Sequence, residues 1–167
     1  MQKIYIIGSV ASGKTTLAKK LSKQLGIPYY ALDDIVYAKS GKARRKRTLK
    51  EQEMILRAIN QTEGWICEGV YRKSYHDLLD WCDHIIFLDT PLWKRNYHII
   101  LRHTKQKLKL ESCSYRPNIA MLRAMYGWSR DFERTKGNFE KLLKPYKHKI
   151  IVIRKKDELM DKIHTVA

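Results

Sequence analysis

The sequence predicts an α/β fold, with a parallel sheet covered by helices on both faces. Three observations predict it. Short apolar runs alternate with longer amphipathic ones along nearly the whole chain. The first apolar run ends in Gly8-Ser9-Val10-Ala11-Ser12-Gly13-Lys14-Thr15, a full match to G-x-x-x-x-G-K-[ST] between a strand and a helix. Gly8, Asp33, Glu68 and Asp89 each lie at the end of an apolar run. Right-handed crossovers bring the ends of parallel strands to one edge, where open α/β sheets bind ligands.

The elements follow in order. Residues 3–7 (KIYII) form a compact β run, broken by the glycine-containing turn 8–13. Leu17, Ala18, Leu21 and Leu25 recur at helical spacing over residues 14–25, and Gly26-Ile27-Pro28 stops that helix. Residues 29–32 are a second strand ending in Asp33-Asp34. Residues 50–61 are a helix read through Met54, Ile55, Ala58 and Ile59. A third strand, 65–67, runs into Glu68-Gly69, and a fourth, 84–88 (HIIFL), ends at Asp89. Residues 92–110 read as a long helix, Ile150–Ile153 as a fifth strand, and 158–163 as a terminal helix. Residues 38–48 and 104–118 interrupt the alternation and are candidate lids beside a phosphate site.

Composition narrows the class. The 167 residues fit one domain, and 44% hydrophobic with 31% charged residues is a mixture that buries a core. The opening apolar run is too short for a signal peptide, and no run approaches the roughly 20 residues a membrane span needs. A cytoplasmic protein with no membrane partner is therefore expected. Lys and Arg number 34 against 17 Asp and Glu, a net charge of +17. Such a surface attracts phosphates on nucleotides and, nonspecifically, on nucleic acids. Cys67, Cys82 and Cys113 show no Cys-x-x-Cys spacing and are expected to be reduced, which argues against a disulfide scaffold or a structural zinc.

The glycine-rich turn points to phosphate binding. Its glycines let successive N–H groups turn inward around a phosphate, and the helix start at Lys14 adds its positive dipole end. Lys14 would neutralise the β- and γ-phosphates, and the Thr15 hydroxyl would ligate Mg²⁺. The acid that completes a metal site is Glu68 or Asp89, both at strand ends; Glu68 also reads as a turn cap, and Asp89 as a cap on the helix that Pro91 opens. Asp33 and Asp34 read either as acceptor-contacting acids or as a helix N-cap.

Assembled, these residues resemble the adenylate-kinase-like P-loop kinases, and within them are most similar to the DNA topology modulation protein (kinase-related) family. The resemblance is carried by residues 3–16, Ala31-Leu32-Asp33, residues 65–72 (WICEGVYR), residues 83–91 (DHIIFLDTP) and Ile150–Ile153. It implies a three-layer P-loop NTPase fold with a five-stranded parallel sheet, order 2-3-1-4-5, and a helical lid. It further implies one domain over 1–167, with an acceptor-side insertion near 35–62 and a lid near 103–130. ATP and Mg²⁺ would sit on Gly8, Ser9, Val10, Ala11, Ser12, Gly13, Lys14, Thr15 and Thr16. The family's acid-Gly-x-x-Arg pattern maps to Glu68, Gly69 and Arg72, with Glu where the family usually has Asp. There the acid organises Mg²⁺, the arginine grips the acceptor, and Asp33, with Asp34 second, contacts the acceptor's hydroxyl.

The helix after Asp89 carries two stripes. Trp93, Tyr97, Ile100, Leu101, Thr104 and Leu108 make one mostly apolar face. Arg95, His98, Arg102, Lys105 and Lys109 make a second, which reads as a solvated basic face or as one turned toward phosphates. The resemblance implies a lid arginine at Arg102, with His98 standing where relatives often have arginine. Arg123 or Arg130, with Arg116 and Arg134 as further candidates, would return to the phosphates on lid closure. Trp128, Phe132, Phe139, Leu142 and Leu143 read as core. The basic run 41–47 (GKARRKR) reads as an exposed, self-repelling loop or an anion-attracting patch. The activity implied is ATP-dependent phosphoryl transfer to a small nucleoside, nucleotide or other anionic acceptor. The alternative is a nucleotide-dependent nucleic-acid-binding regulator, although helix-turn-helix, zinc and RNA-binding signatures are missing from the sequence.

Overall fold

The computed structural model describes residues 2–40, 43–108, 110, 118–154 and 158. The terminal helix expected beyond Glu158, the stripe's Lys109, Cys113, Arg116 and the middle of the expected lid lie outside them.

Five parallel strands form the sheet: β1 (Lys3–Gly8), β2 (Tyr29–Ala31), β5 (Trp65–Gly69), β6 (His84–Leu88) and β7 (Ile150–Ile153). Their spatial order, β2-β5-β1-β6-β7, is the 2-3-1-4-5 order expected of the five predicted strands. Alternation along β1 feeds two cores, because successive side chains point to opposite faces. Ile4 and Ile6 pack with Leu17, Ala18 and Leu21 of α1 (Lys14–Leu25). Tyr5 and Ile7 pack with Leu56 and Ile59 of α3 (Leu49–Asn60), Leu78 and Leu79 of α4 (Asp77–Trp81), and Leu143 of α6 (Ile119–Leu143). Each fully buried aliphatic side chain stabilises the fold by about 1.5–3 kcal/mol. Cys67 and Cys82 are buried and free, as expected.

Several boundaries differ from the sequence reading. The second strand stops at Ala31, because Leu32 opens a short helix, α2 (Leu32–Val36), with Asp33 and Asp34 in its first turn. Ala31 is the N-cap, so neither aspartate caps the helix. The basic run is not a self-repelling loop: β3 (Tyr37–Ser40) and β4 (Ala43–Lys46) pair as an antiparallel hairpin. Arg45 is tied to Glu51 at 2.6 Å, and Arg47 donates to the carbonyls of Asp34 and Ile35. Thr48 and Glu51 form a capping box at the start of α3, and Met54 of that helix faces solvent.

The largest departure is α5 (Leu92–Lys107). Its mostly apolar face points outward: Trp93 is 72% exposed and Tyr97 58%. The buried line is instead Arg95, Ile99 and Gln106. The physical reason lies in α6, which offers α5 a carboxylate and an aromatic ring. Arg95 pairs with Glu133 and stacks over the Phe132 ring, 5.4 Å from its centroid, and Ser129 is buried nearby on the same line. Phe132, Phe139 and Leu142 pack against the core as expected, whereas Trp128 is more than half exposed.

Candidate phosphate-binding site

The turn from β1 into α1 is built for close backbone packing. A side chain at Gly8 would come within 2.8 Å of the Leu88 carbonyl oxygen, so only glycine lets β1 lie against the end of β6 there. Gly13, at φ 98°, caps α1 in the left-handed region that glycine adopts without strain. Ala11 also has positive φ, 56°, and its carbonyl lies 3.0 Å from His98 Nδ1 on α5. Thr90 Oγ1 donates to the Ser12 carbonyl at 3.0 Å, and Lys14 Nζ to the Ser9 carbonyl at 2.6 Å. Contacts from Thr90, just past β6, from His98 of α5 and from Lys14 thus hold three of the loop's carbonyls. The Ser9 and Ser12 hydroxyls are buried without a protein partner among the described residues, polar groups suited to a phosphate oxygen.

Thr15 and Glu68, two of the three residues expected at a metal, come together: Thr15 Oγ1 donates to Glu68 Oε1 at 2.7 Å. The register explains it. Ile6 and Ile7 of β1 lie beside Glu68 and Gly69 of β5, so Glu68 emerges under the first turn of α1. Burial lowers the Lys14 ammonium to about 8, with Glu68 and Asp33 pulling the other way. Burial likewise raises the Glu68 carboxyl, opposed by Lys14 and the Thr15 hydroxyl. Opposite charges in a site of low polarity are thus held in reserve beside the loop.

Asp89 does not join this pair. Its two carboxylate oxygens are taken by Lys136 Nζ at 2.6 Å and Arg154 Nε at 3.1 Å. Burial works against its ionisation, but those hydrogen bonds outweigh it and hold the carboxyl below its ordinary value. Nor does it cap α5, whose N-cap is Pro91. Its position at a strand end suggested a metal ligand; distant cations in the sequence give it a structural tie instead.

Across the sheet edge, Arg72 Nη2 donates to Asp33 Oδ1 at 3.2 Å, with both groups largely open to solvent. Asp34 lines a different groove, along the edge strand β2 with Tyr29, Tyr30 and Ile55. Gly69 ends β5 against Leu32. On α5, the charges of Arg102 and Arg95 act on Lys14 and add to the lowering of its pKa. Arg123 and Arg130 are exposed on α6, in one helical line with Ile119, and Arg134 pairs weakly with Asp131. The structure therefore gathers the loop, Glu68 and His98 in one place and Asp33 with Arg72 at its mouth.

No protein-family model matches the chain. A shikimate kinase of Bacillus cytotoxicus is 42% identical over 57 residues, 34% of this chain and 34% of that protein. The match thus spans about a third of the curated relative's length. Among solved structures, shikimate kinase from Acinetobacter baumannii in complex with shikimate superposes with a TM-score of 0.63 at 14% identity, covering 99% of this chain and 93% of that one. Deoxyadenosine kinase from M. mycoides with bound dATP gives 0.56 at 13% identity, covering 98% and 97%. The fold is that of the P-loop kinases. Its loop in this chain is braced by Thr90, which the sequence reading missed and which only its place beside Asp89 at a strand end signalled. Lys136 and Glu133, tied to Asp89 and Arg95, left no sequence signal, since nothing local distinguishes them from a solvated helix face.

Proposed function

We propose that this chain is an ATP-dependent phosphotransferase whose acceptor is a small molecule bearing a hydroxyl and an anionic group. The observation that carries the reading is the contact between Thr15 and Glu68 beneath the loop, because it joins a phosphate cradle to an acid at the adjoining strand end. The names of the relatives, kinases of shikimate and of deoxyadenosine, support an alcohol acceptor.

In this reading the amides of residues 8–15 hold the triphosphate, the Ser9 and Ser12 hydroxyls add donors, and Lys14 lies against the transferring group. A hydroxyl and a carboxylate oxygen suit Mg²⁺, which keeps several waters and takes few protein ligands. Among the described residues no cluster of three acidic, histidine or cysteine side chains offers a full cage, so Thr15 and Glu68 would hold the ion together with the nucleotide. When bound, the ion neutralises charge between the phosphates. Asp33 accepts the acceptor's hydroxyl proton, and Arg72 binds its anionic group bidentately. Arg102 closes over the phosphoryl oxygens from α5. Arg123 and Arg130 are the candidates for a further arginine that approaches on closure. Catalysis rests on positioning and charge stabilisation.

The similarity to the DNA topology modulation family and the +17 charge favour one rival, a nucleotide-dependent nucleic-acid regulator. Transfer of labelled phosphate from ATP to a panel of nucleosides, nucleotides and hydroxy acids separates the two. Transfer to one acceptor class is expected. ATP turnover that ignores every acceptor and rises with DNA or RNA would overturn the kinase reading.

A further inference from the structure

We propose that the outward face of α5 is a docking surface for an anionic lipid bilayer. Trp93, Tyr97, Ile100, Leu101 and Leu108 are all exposed and fall on one arc of the helix about 100° wide. Scattered exposed apolar residues are ordinary on a folded surface; a continuous stripe led by a tryptophan and a tyrosine is not.

Charge selects the occupant. Helical spacing places Lys94 and Lys105 along one flank of the stripe and Lys107 along the other. The sixteen residues of α5 include no Asp or Glu. Lysines therefore border the apolar stripe on both flanks. A second copy of the chain fits poorly, since two-fold pairing would set these cations against their equals in chains of +17 each. A protein partner would need a groove for this convex ridge and acids along both flanks. A bilayer surface supplies both properties at once: lysine stems reach up to anionic headgroups while Trp and Tyr settle at the interface.

Among the described residues no helix is long and apolar enough to cross a membrane, and none is required, because a helix lying in the interface needs one apolar face. The inward side of α5 carries Arg95 and Ile99, with His98 on the loop, so docking by the outer side leaves the phosphate loop uncovered. The proposal stands apart from the kinase reading.

Vesicle flotation of the full chain tests it, with phosphatidylcholine alone and with phosphatidylglycerol added. Binding to the anionic vesicles is expected to exceed binding to neutral ones by about tenfold or more at low salt, and to weaken as salt rises. The double variant Trp93→Gln/Tyr97→Gln is expected to lose about tenfold of that binding with an unchanged melting curve. Lys94→Gln/Lys105→Gln is expected to lose binding and salt dependence together, while Lys46→Ala on the hairpin keeps both. Equal binding to the two vesicle types would overturn the proposal, as would retention of vesicle binding by Trp93→Gln/Tyr97→Gln. Loss in that variant of single-stranded oligonucleotide binding or of a dimer, with no vesicle binding in the wild type, would also overturn it.

Discussion

The phosphate loop and helix α5 face one another, yet they were assembled by different rules. In the loop, local spacing dictates the result: glycines where the backbone turns, a lysine and a threonine where the helix begins, with Thr90 and His98 holding the carbonyls. In α5 local spacing misleads. Its apolar stripe lies in solvent, and its inner line carries an arginine that is 1% exposed. Periodicity shows that a helix has two faces; which one is buried depends on what the neighbouring helix presents.

The sharpest break of this comparison is at the loop. Lys14→Ala is expected to lower ATP-dependent transfer by about 100-fold or more while leaving the circular dichroism spectrum unchanged, since preorganised charge stabilisation is the main catalytic term. Turnover at the wild-type rate would remove the loop from the mechanism.

At α5 the matching test is one of stability. Glu133→Ala strands a buried guanidinium and is expected to cost about 3 kcal/mol in denaturant unfolding. Arg95→Met leaves only a part-exposed carboxylate and fills the space with an apolar chain, so its cost is expected to stay within about 1 kcal/mol. Equal costs for the two variants would mean that Arg95 is not the desolvated partner.

A smaller effect is expected at the mouth. Arg72→Ala is expected to raise the acceptor KM by about tenfold with the ATP KM unchanged, as loss of a charged hydrogen bond does. A change confined to ATP would move Arg72 out of the acceptor site.

The mildest test is pH. Burial lowers Lys14 to about 8, so the free protein holds it charged below that value and increasingly neutral above it. Affinity for inorganic triphosphate, measured calorimetrically, is expected to fall as pH rises through about 8. In stability the sign is opposite: the unfolded chain binds the extra proton between about 8 and the ordinary lysine value, so this group adds stability as pH rises through that window. Lys14→Arg should remove both trends.

The five strands of the parallel sheet and the loop were legible in the chain, because each rests on contacts between near neighbours or on runs such as KIYII that are buried on both faces in any parallel sheet. The order of those strands followed only from the family resemblance, and the β3–β4 hairpin was not foreseen. The pairing of Thr15 with Glu68 was half legible, because strand ends share one edge but the register of β1 on β5 chooses which acid arrives. Asp89 shows the limit. Its place at a strand end was readable, but Lys136, 47 positions later, turned it into an ion-pair anchor.

By itself, then, the sequence determined where the backbone turns, which residues make the glycine-rich turn of a phosphate-binding motif and which strands make the parallel sheet, because these follow from torsional freedom and periodicity within a few residues. Tertiary structure alone decided that Arg95 goes inward and Trp93 outward, that Asp33 faces Arg72 while Asp34 lines the groove along β2, and that Asp89 is an anchor. A charge or an apolar face is favourable only in relation to the partner that meets it, and those partners lie far along the chain.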